Sequence, residues 1–370
     1  MKNRIRKVTA ILACTAMVFG LAACGSKEEA PAAAAASSAP AAEAVKSESA
    51  APAATDGKDW TQGEKREIKI ATLLTESSVS GKALQKFADD INAKSGGRIV
   101  ANVYYNGVLA DYQSAFEMEQ EGDIQMTTEN PLVYETMLPT FATLDEYFLF
   151  DDLDHVHRFL EGEGGEIMNK AWNDAKLEGL CAFGLGFREL SNNKKEVHNM
   201  ADMKGLTLRG YSTIQIDAWN AAGAAPTSVD WNELFVSMQQ GLLDGQESAL
   251  STIYDFSFYE VQKYITLTDH VWTADWVVCN KEWLEGLGDD EQLVRETMNE
   301  AYEWQKEAYQ AEIENYIKFF EEKGIVITEM TPEDKAELKE AMAPTTAKSV
   351  IETCGQETYD KIHELVEAAR

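Results

Sequence analysis

The sequence predicts an α/β fold of mostly parallel strands, with enough chain for two lobes. Three observations predict it. Between Glu67 and Thr128, short strand-like apolar runs alternate with segments whose apolar residues recur at helical spacing. This β-α-β-α-β order implies parallel pairing through right-handed crossovers. The chain has 370 residues, 45% of them hydrophobic, which suits one large domain or two lobes. Finally, no proline or glycine occurs from about Glu291 to Lys323, while Leu293, Val294, Met298, Ala301, Tyr309, Tyr316 and Phe320 recur at helical spacings. At about 1.5 Å per residue this is a helix of about 50 Å. It is long enough to brace two lobes, unless an unmarked kink divides it into two helices.

Taken in order, the chain opens with Lys2, Arg4, Arg6 and Lys7, followed by an apolar run from Val8 to Ala23. The run is too short for an ordinary membrane span and reads as an export signal. It ends in Leu21-Ala22-Ala23-Cys24-Gly25, which resembles a bacterial lipobox. Small residues before the cysteine suit a signal peptidase, and Cys24 would then carry lipid. An ordinary secretory signal with an incidental cysteine is the alternative. The next residues, to about 58, are rich in Ala, Pro, Ser and Glu and cannot bury enough surface to fold. They read as a disordered tether.

The folded part is expected from about Lys65. Glu67–Leu74 is a predicted strand and Ser80–Lys94 a helix stopped by Gly96-Gly97, where a positive φ is cheap. Arg98–Tyr105 is the second strand. Asn106-Gly107 has hairpin chemistry, but no matching strand follows at once. Tyr112–Gln120 is a helix and Asp123–Thr128 the third strand. Leu138–Phe150 is ambiguous between strand and helix. Helices over 154–160 and 166–177 precede the strand Leu180–Arg188, which ends in a cation. Leu206–Arg209 is a short strand and Ser212–Ala222 a helix. Asp230 is expected to cap a helix with its carboxylate, Glu233 lying three residues on. His270–Cys279 is a strand, and helices near 332–342 and 345–368 close the chain, with Pro344 just ahead of the last one.

Lys+Arg total 33 against 63 Asp+Glu, a net charge of -30. This excludes nucleic acid and anionic lipid as partners, since both need basic patches. Cys181, Cys279 and Cys354 remain once Cys14 and Cys24 are assigned to the signal and the lipid. They have no metal-ligand spacing and read as buried thiols. The five histidines form no ligand cluster, and His155 and His157 read as part of a solvated acidic turn. No Ser-His-Asp set, phosphate loop or clearly spaced carboxylate pair is present, so no enzyme, cofactor or metal is expected.

The stretch Ala201–Glu247 holds the binding candidates. Arg209 ends a predicted strand in an acidic chain, and its guanidinium fork matches a carboxylate. Strand ends are where ligands lie in open α/β sheets. Arg188 has the same context. Trp231, at a helix start, can wall a cleft or belong to the core. Gln246 and Glu247 can receive hydroxyls or close a hinge. For each residue, binding and a purely structural role both remain open on this evidence.

The segments FGLGFRELSNNKKEVHNMADMKGLTLRG, AAGAAPTSVDWNELFVSMQQGLLDGQES and FYEVQKYITLTDH occur in this order. With the flanking segments from Val103 onward, they resemble the extracytoplasmic solute-binding subunit of tripartite ATP-independent periplasmic (TRAP) transporters, C4-dicarboxylate-binding type, over about residues 67–330. The resemblance implies a two-lobed α/β periplasmic-binding-protein fold with a hinge and a long helix bridging both lobes. It implies a signal peptide over 1–23 and a lipidated Cys24 with its tether over 24–64. The N-terminal lobe would take 66–187 plus 274–313, and the C-terminal lobe 188–273 plus 314–370. Arg209 is then the expected carboxylate clamp, with Arg188 assisting and Trp231 packing on the ligand. Gln246, Glu247 and Ser248 fall in the binding region. The sequence departs from the pattern at Ser248, where Asn is common, at Trp231, where Phe is common, and at Asn106, where Pro is usual. The implied function is capture of a small organic acid outside the cell by a monomer, lipid-anchored to the membrane, and delivery to the membrane permease. A binding lipoprotein of an ATP-driven importer and a ligand-sensing co-receptor are the alternatives.

Overall fold

The strands differ in make-up: Ile99–Tyr104 and Trp272–Asn280 are rich in β-branched residues, whereas Leu177–Asn192 and Gly245–Ala249 have none. In chain order they are β1 (Arg66–Ala71), β2 (Ile99–Tyr104), β3 (Met126–Glu129), β4 (Leu177–Asn192) and β5 (Thr207–Gly210), then β6 (Ala225–Ser228), β7 (Gly245–Ala249), β8 (Tyr264–Leu267), β9 (Trp272–Asn280) and β10 (Val326–Glu329). The computed structural model describes residues 58–370. The predicted signal peptide, Cys24 and all of the predicted tether before residue 58 lie outside the described residues. Packing begins ahead of β1. Trp60 is buried, and Arg98 donates to the backbone oxygens of Trp60 and Glu64 while pairing with Asp290 at 2.6 Å.

The strands form two connected sheet regions. In the first, β1 lies parallel to β2 and β3, and β9 runs antiparallel to β3 and to the first part of β4. In the second, the last residues of β4 run antiparallel to β7 and β8. Strand β5 is parallel to β6 and β7, and β10 is parallel to β8. Strand β4 therefore belongs to both: Leu177–Phe187 pairs with β9, and Arg188–Asn192 pairs with β7. Its register shifts between Gly179 and Cys181 and again between Gly184 and Gly186. Such bulges let a strand bend and twist. Arg188 is thus inside a 16-residue strand, where the sequence had placed it at a strand end.

The long helix Asp290–Glu322 is unbroken, so the kinked alternative is discarded. It fastens both regions. Leu293, Val294, Met298 and Ala301 pack with Ile68, Ile70, Phe87 and Val277. Further along, Tyr309, Tyr316 and Phe320 pack with Leu234, Met238, Ile253 and Ile265. Between these two cores, the Gln305 amide donates to the Gly184 carbonyl at 2.8 Å, supplying a partner beside the second bulge.

Most predicted elements are present, and the differences have local causes. Asn106 and Gly107 both have positive φ, at 57° and 66°. They turn the chain from β2 toward the helix Tyr112–Glu121 without forming a hairpin. Leu138–Phe150 contains a short 3-10 helix, Pro139–Asp145. Asp230 stands at the helix N-cap, but its side chain makes no capping bond. Pro344 lies inside the helix Pro332–Cys354, and the break falls instead at Gly355, where φ is 83°. The final helix, Gln356–Ala369, packs against the helices Leu153–Leu160 and Glu163–Asp174. That packing also corrects the reading of His155 as solvated. The residue is buried, and its Nε2 lies 2.8 Å from the Val366 carbonyl oxygen of the final helix.

Candidate ligand-binding cleft

The carboxyl ends of β1, β3 and β5 converge on one cavity, and β4, β7 and β9 close its floor. Its volume is about 80 Å³. A water-sized position takes about 10–15 Å³ on this measure, so the space suits a small molecule and not an oligosaccharide or a peptide. Leu73, Leu74, Leu132, Leu185 and Phe256 make the apolar walls. Arg188, Arg209, Trp231 and Ser248, four of the predicted site residues, line it together.

The two arginines are in opposite electrostatic situations. Arg188 grips Glu247: its Nη2 lies 3.0 Å from Oε1 and 2.7 Å from the Glu247 carbonyl, and its Nε bonds Oε2. Glu247 also accepts from the Gln215 amide, and its Oε2 lies 3.0 Å from His270 Nε2. Burial works against a charge on Glu247, but Arg188 and His270 outweigh it and hold the carboxyl below its usual range. The Arg188–Glu247 pair is therefore internally neutralised.

Arg209 has no carboxylate within ion-pair distance among the described residues. Its Nε donates to the Val229 carbonyl at 2.9 Å, which fixes the guanidinium and leaves the rest of the fork for the cavity. The Tyr211 ring centroid lies 5.3 Å from the Arg209 guanidinium carbon and 5.2 Å from that of Arg188, so the ring is near both cations. Trp231 covers Arg209 from another side at 5.5 Å, its indole braced edge-on by Phe256 and Phe258. Burial, reinforced by the nearby charge of Arg188, lowers Arg209 to about 10. A largely buried cation without a counter-ion is costly unless an anion arrives.

Along β7 successive side chains alternate faces, so Gln246 and Ser248 share one face and Glu247 takes the other. Ser248 lines the cavity and donates to the Gln246 amide oxygen, while the Gln246 nitrogen donates to Ser191 Oγ at 2.8 Å. Gln246 and Glu247 are fully buried beside the cavity and do not line it.

Sequence reasoning missed Tyr112, Asn130, Tyr211, Asp255 and Asp275, all of which line the cavity. Two of them left a signal. Tyr211 is two residues after Arg209, and in extended chain such residues share a face. Asp275 is a lone carboxylate in the apolar run VWTADWVV, where a buried charge calls for a reason. It is 3% exposed, and its Oδ1 has no hydrogen-bond partner among the described residues. Burial pushes Asp275 up to about 7, with Asn130 and Arg188 opposing. Burial likewise pushes Asp255 up to about 7, against a smaller opposing effect of Lys82. No group of three or more His, Cys, Asp or Glu poised for a metal occurs among the described residues.

Residues 70–353 match the signature of the bacterial extracellular solute-binding proteins, family 7. The chain is 29% identical over 280 residues to the C4-dicarboxylate-binding protein DctB of Bacillus subtilis, covering 75% of this chain and 80% of that protein. It is similar in structure to the sugar acid binding protein DctPAm of Advenella mimigardefordensis in complex with galactonate. The TM-score is 0.79 at 27% identity, over 84% of this chain and 100% of the other. It is also similar to a TRAP periplasmic solute-binding protein of Sulfurospirillum deleyianum with bound succinate. There the TM-score is 0.76 at 25% identity, over 82% of this chain and 100% of the other.

Proposed function

We propose a carboxylate-capture mechanism for this chain, which belongs to family 7 of the bacterial extracellular solute-binding proteins, the substrate-capturing subunits of TRAP transporters. The protein binds a small organic acid reversibly and passes it to a membrane permease, so no bond is made or broken. The observation that carries the mechanism is the uncompensated Arg209 guanidinium, held by Val229 and facing the cavity. A ligand carboxylate supplies the missing charge through a planar two-point pair. Arg188, tied to Glu247, contributes shape and hydrogen-bonding capacity more than net charge. Trp231 packs on the ligand body, and Ser248 offers a hydroxyl that its bond to Gln246 orients.

The lobe limits we adopt are 66–187 with 274–313, and 188–273 with 314–370, with the helix Gln356–Ala369 returning to pack on the first lobe. The change of partners along β4 between Phe187 and Arg188 supports the boundary there. Cleavage before Cys24 and lipidation of its thiol would hold a monomer at the outer face of the membrane, within reach of the permease.

Arg209→Ala should weaken binding of a carboxylate, chosen by a thermal-shift screen, about 100-fold or more, as expected for truncating one partner of a buried charge pair. Isothermal calorimetry measures the affinity, and circular dichroism checks that the variant folds. An unchanged affinity in a folded variant would end the assignment of Arg209.

A further inference from the structure

We propose that the cleft is built for a zwitterion: a carboxylate to meet Arg209 and a protonated amine to meet Asp275, with Asp255 as a second acceptor. The inference rests on the carboxylate-capture reading and adds the second pole of the ligand.

The cavity's charges carry the argument. Arg188 is already balanced by Glu247. The lining charges left to be met are Arg209 and the carboxyls of Asp275 and Asp255. A simple monocarboxylate would satisfy Arg209 and leave both aspartates unmet. A dicarboxylate would add a second negative charge to a space already bounded by two carboxyls. Like charges sharing a buried site force a proton onto one of them or expel the ligand. An ammonium removes the conflict, because it donates three charge-assisted hydrogen bonds and carries the opposite sign.

Two further observations point to a donor on the ligand. Asp275 is almost wholly buried, and among the described residues neither its Oδ1 nor the buried Oδ1 of Asp255 has a hydrogen-bond partner. Buried polar atoms in folded proteins nearly always have partners, so two unmet acceptors on one cavity mark where a ligand's donor belongs. Burial also pushes both carboxyls up to about 7, against smaller opposing effects of Asn130 and Arg188 on Asp275 and of Lys82 on Asp255. A ligand cation beside Asp275 would hold that carboxyl ionised.

The test is a calorimetric comparison of matched probes on the full folded chain. The probes are α- and ω-amino acids of two to six carbons, the corresponding unsubstituted acids, the hydroxy acids and the dicarboxylates. At least one amino acid should bind tenfold or more tightly than its unsubstituted, hydroxylated and dicarboxylic counterparts of equal length. Asp275→Asn keeps the shape and removes the charge. It should erase that preference. Asp255→Asn should reduce the preference by a smaller factor. Unliganded melting curves establish that both variants fold. Tighter binding of hydroxy acids or dicarboxylates than of any amino acid would overturn the amine assignment. So would a preference that survives in both variants. If acids bind and Arg209→Ala abolishes it, carboxylate capture stands even when the amine preference fails. If no acid of any kind binds, both readings fall.

Discussion

Arg188 and Arg209 look alike in the sequence, each following apolar residues of a strand. What separates them is who else is nearby. Glu247 and His270 come to Arg188 from segments dozens of residues away, and none of that pairing is written in local pattern. The same applies to the buried carboxyls. Glu129, Asp145, Asp255 and Asp275 are pushed up by burial to about 8, 6, 7 and 7. Each therefore holds its proton in the folded state over a range where the unfolded chain has released it. By linkage, the stability they contribute is complete below the ordinary carboxylate range near pH 4, and it is lost as pH rises through about 6 to 8. Glu247, held low, acts in the opposite direction, but only at acid pH. The unliganded protein should accordingly melt several degrees higher at pH 5.5 than at pH 8.0 by scanning calorimetry. A melting temperature that rises across that interval would contradict the burial of these groups.

At the scale of elements, the long helix and β4 must be considered together. Gly186 has φ of 108°, and a Cβ there would lie 1.8 Å from Tyr309 Oη. The second bulge thus depends on a residue without a side chain just where the helix crosses. Gly186→Ala should cost about 3 kcal/mol, from backbone strain together with overpacking, and lower the midpoint of urea denaturation. Adding Tyr309→Phe should recover part of the loss. No recovery would mean that strain in β4, and not the helix contact, sets the cost. The helix itself was legible, since 33 residues of uninterrupted periodicity have few other solutions. So were the first three strands and the glycine stops. The bulges in β4 were not, because a strand with glycines at 179, 184 and 186 reads as a continuous apolar run until its two sets of partners are known. The capping bond expected of Asp230 also failed to form. Local chemistry permits such a bond but does not require it.

For the whole molecule, the cavity-lining residues Arg188, Arg209, Trp231 and Ser248 were accessible through resemblance, whereas Asp275 emerged only once β9 was seen to line the same cavity. The family match also removes the ATP-driven importer alternative. Anchorage is testable on the intact chain. Cys24→Ser should move the protein from the membrane to the soluble fraction of an expressing cell and abolish incorporation of labelled fatty acid. Continued labelling would place the lipid elsewhere. The position of β9 has one further consequence. It lies between β3 and β4 in the sheet but starts only at Trp272, long after β4 ends at Asn192. During synthesis or threading through an export channel, the first lobe cannot finish its sheet until residue 280 has emerged, and the clasping helix comes later still. Such distant pairing slows folding. The order of the chain itself therefore delays completion of this sheet.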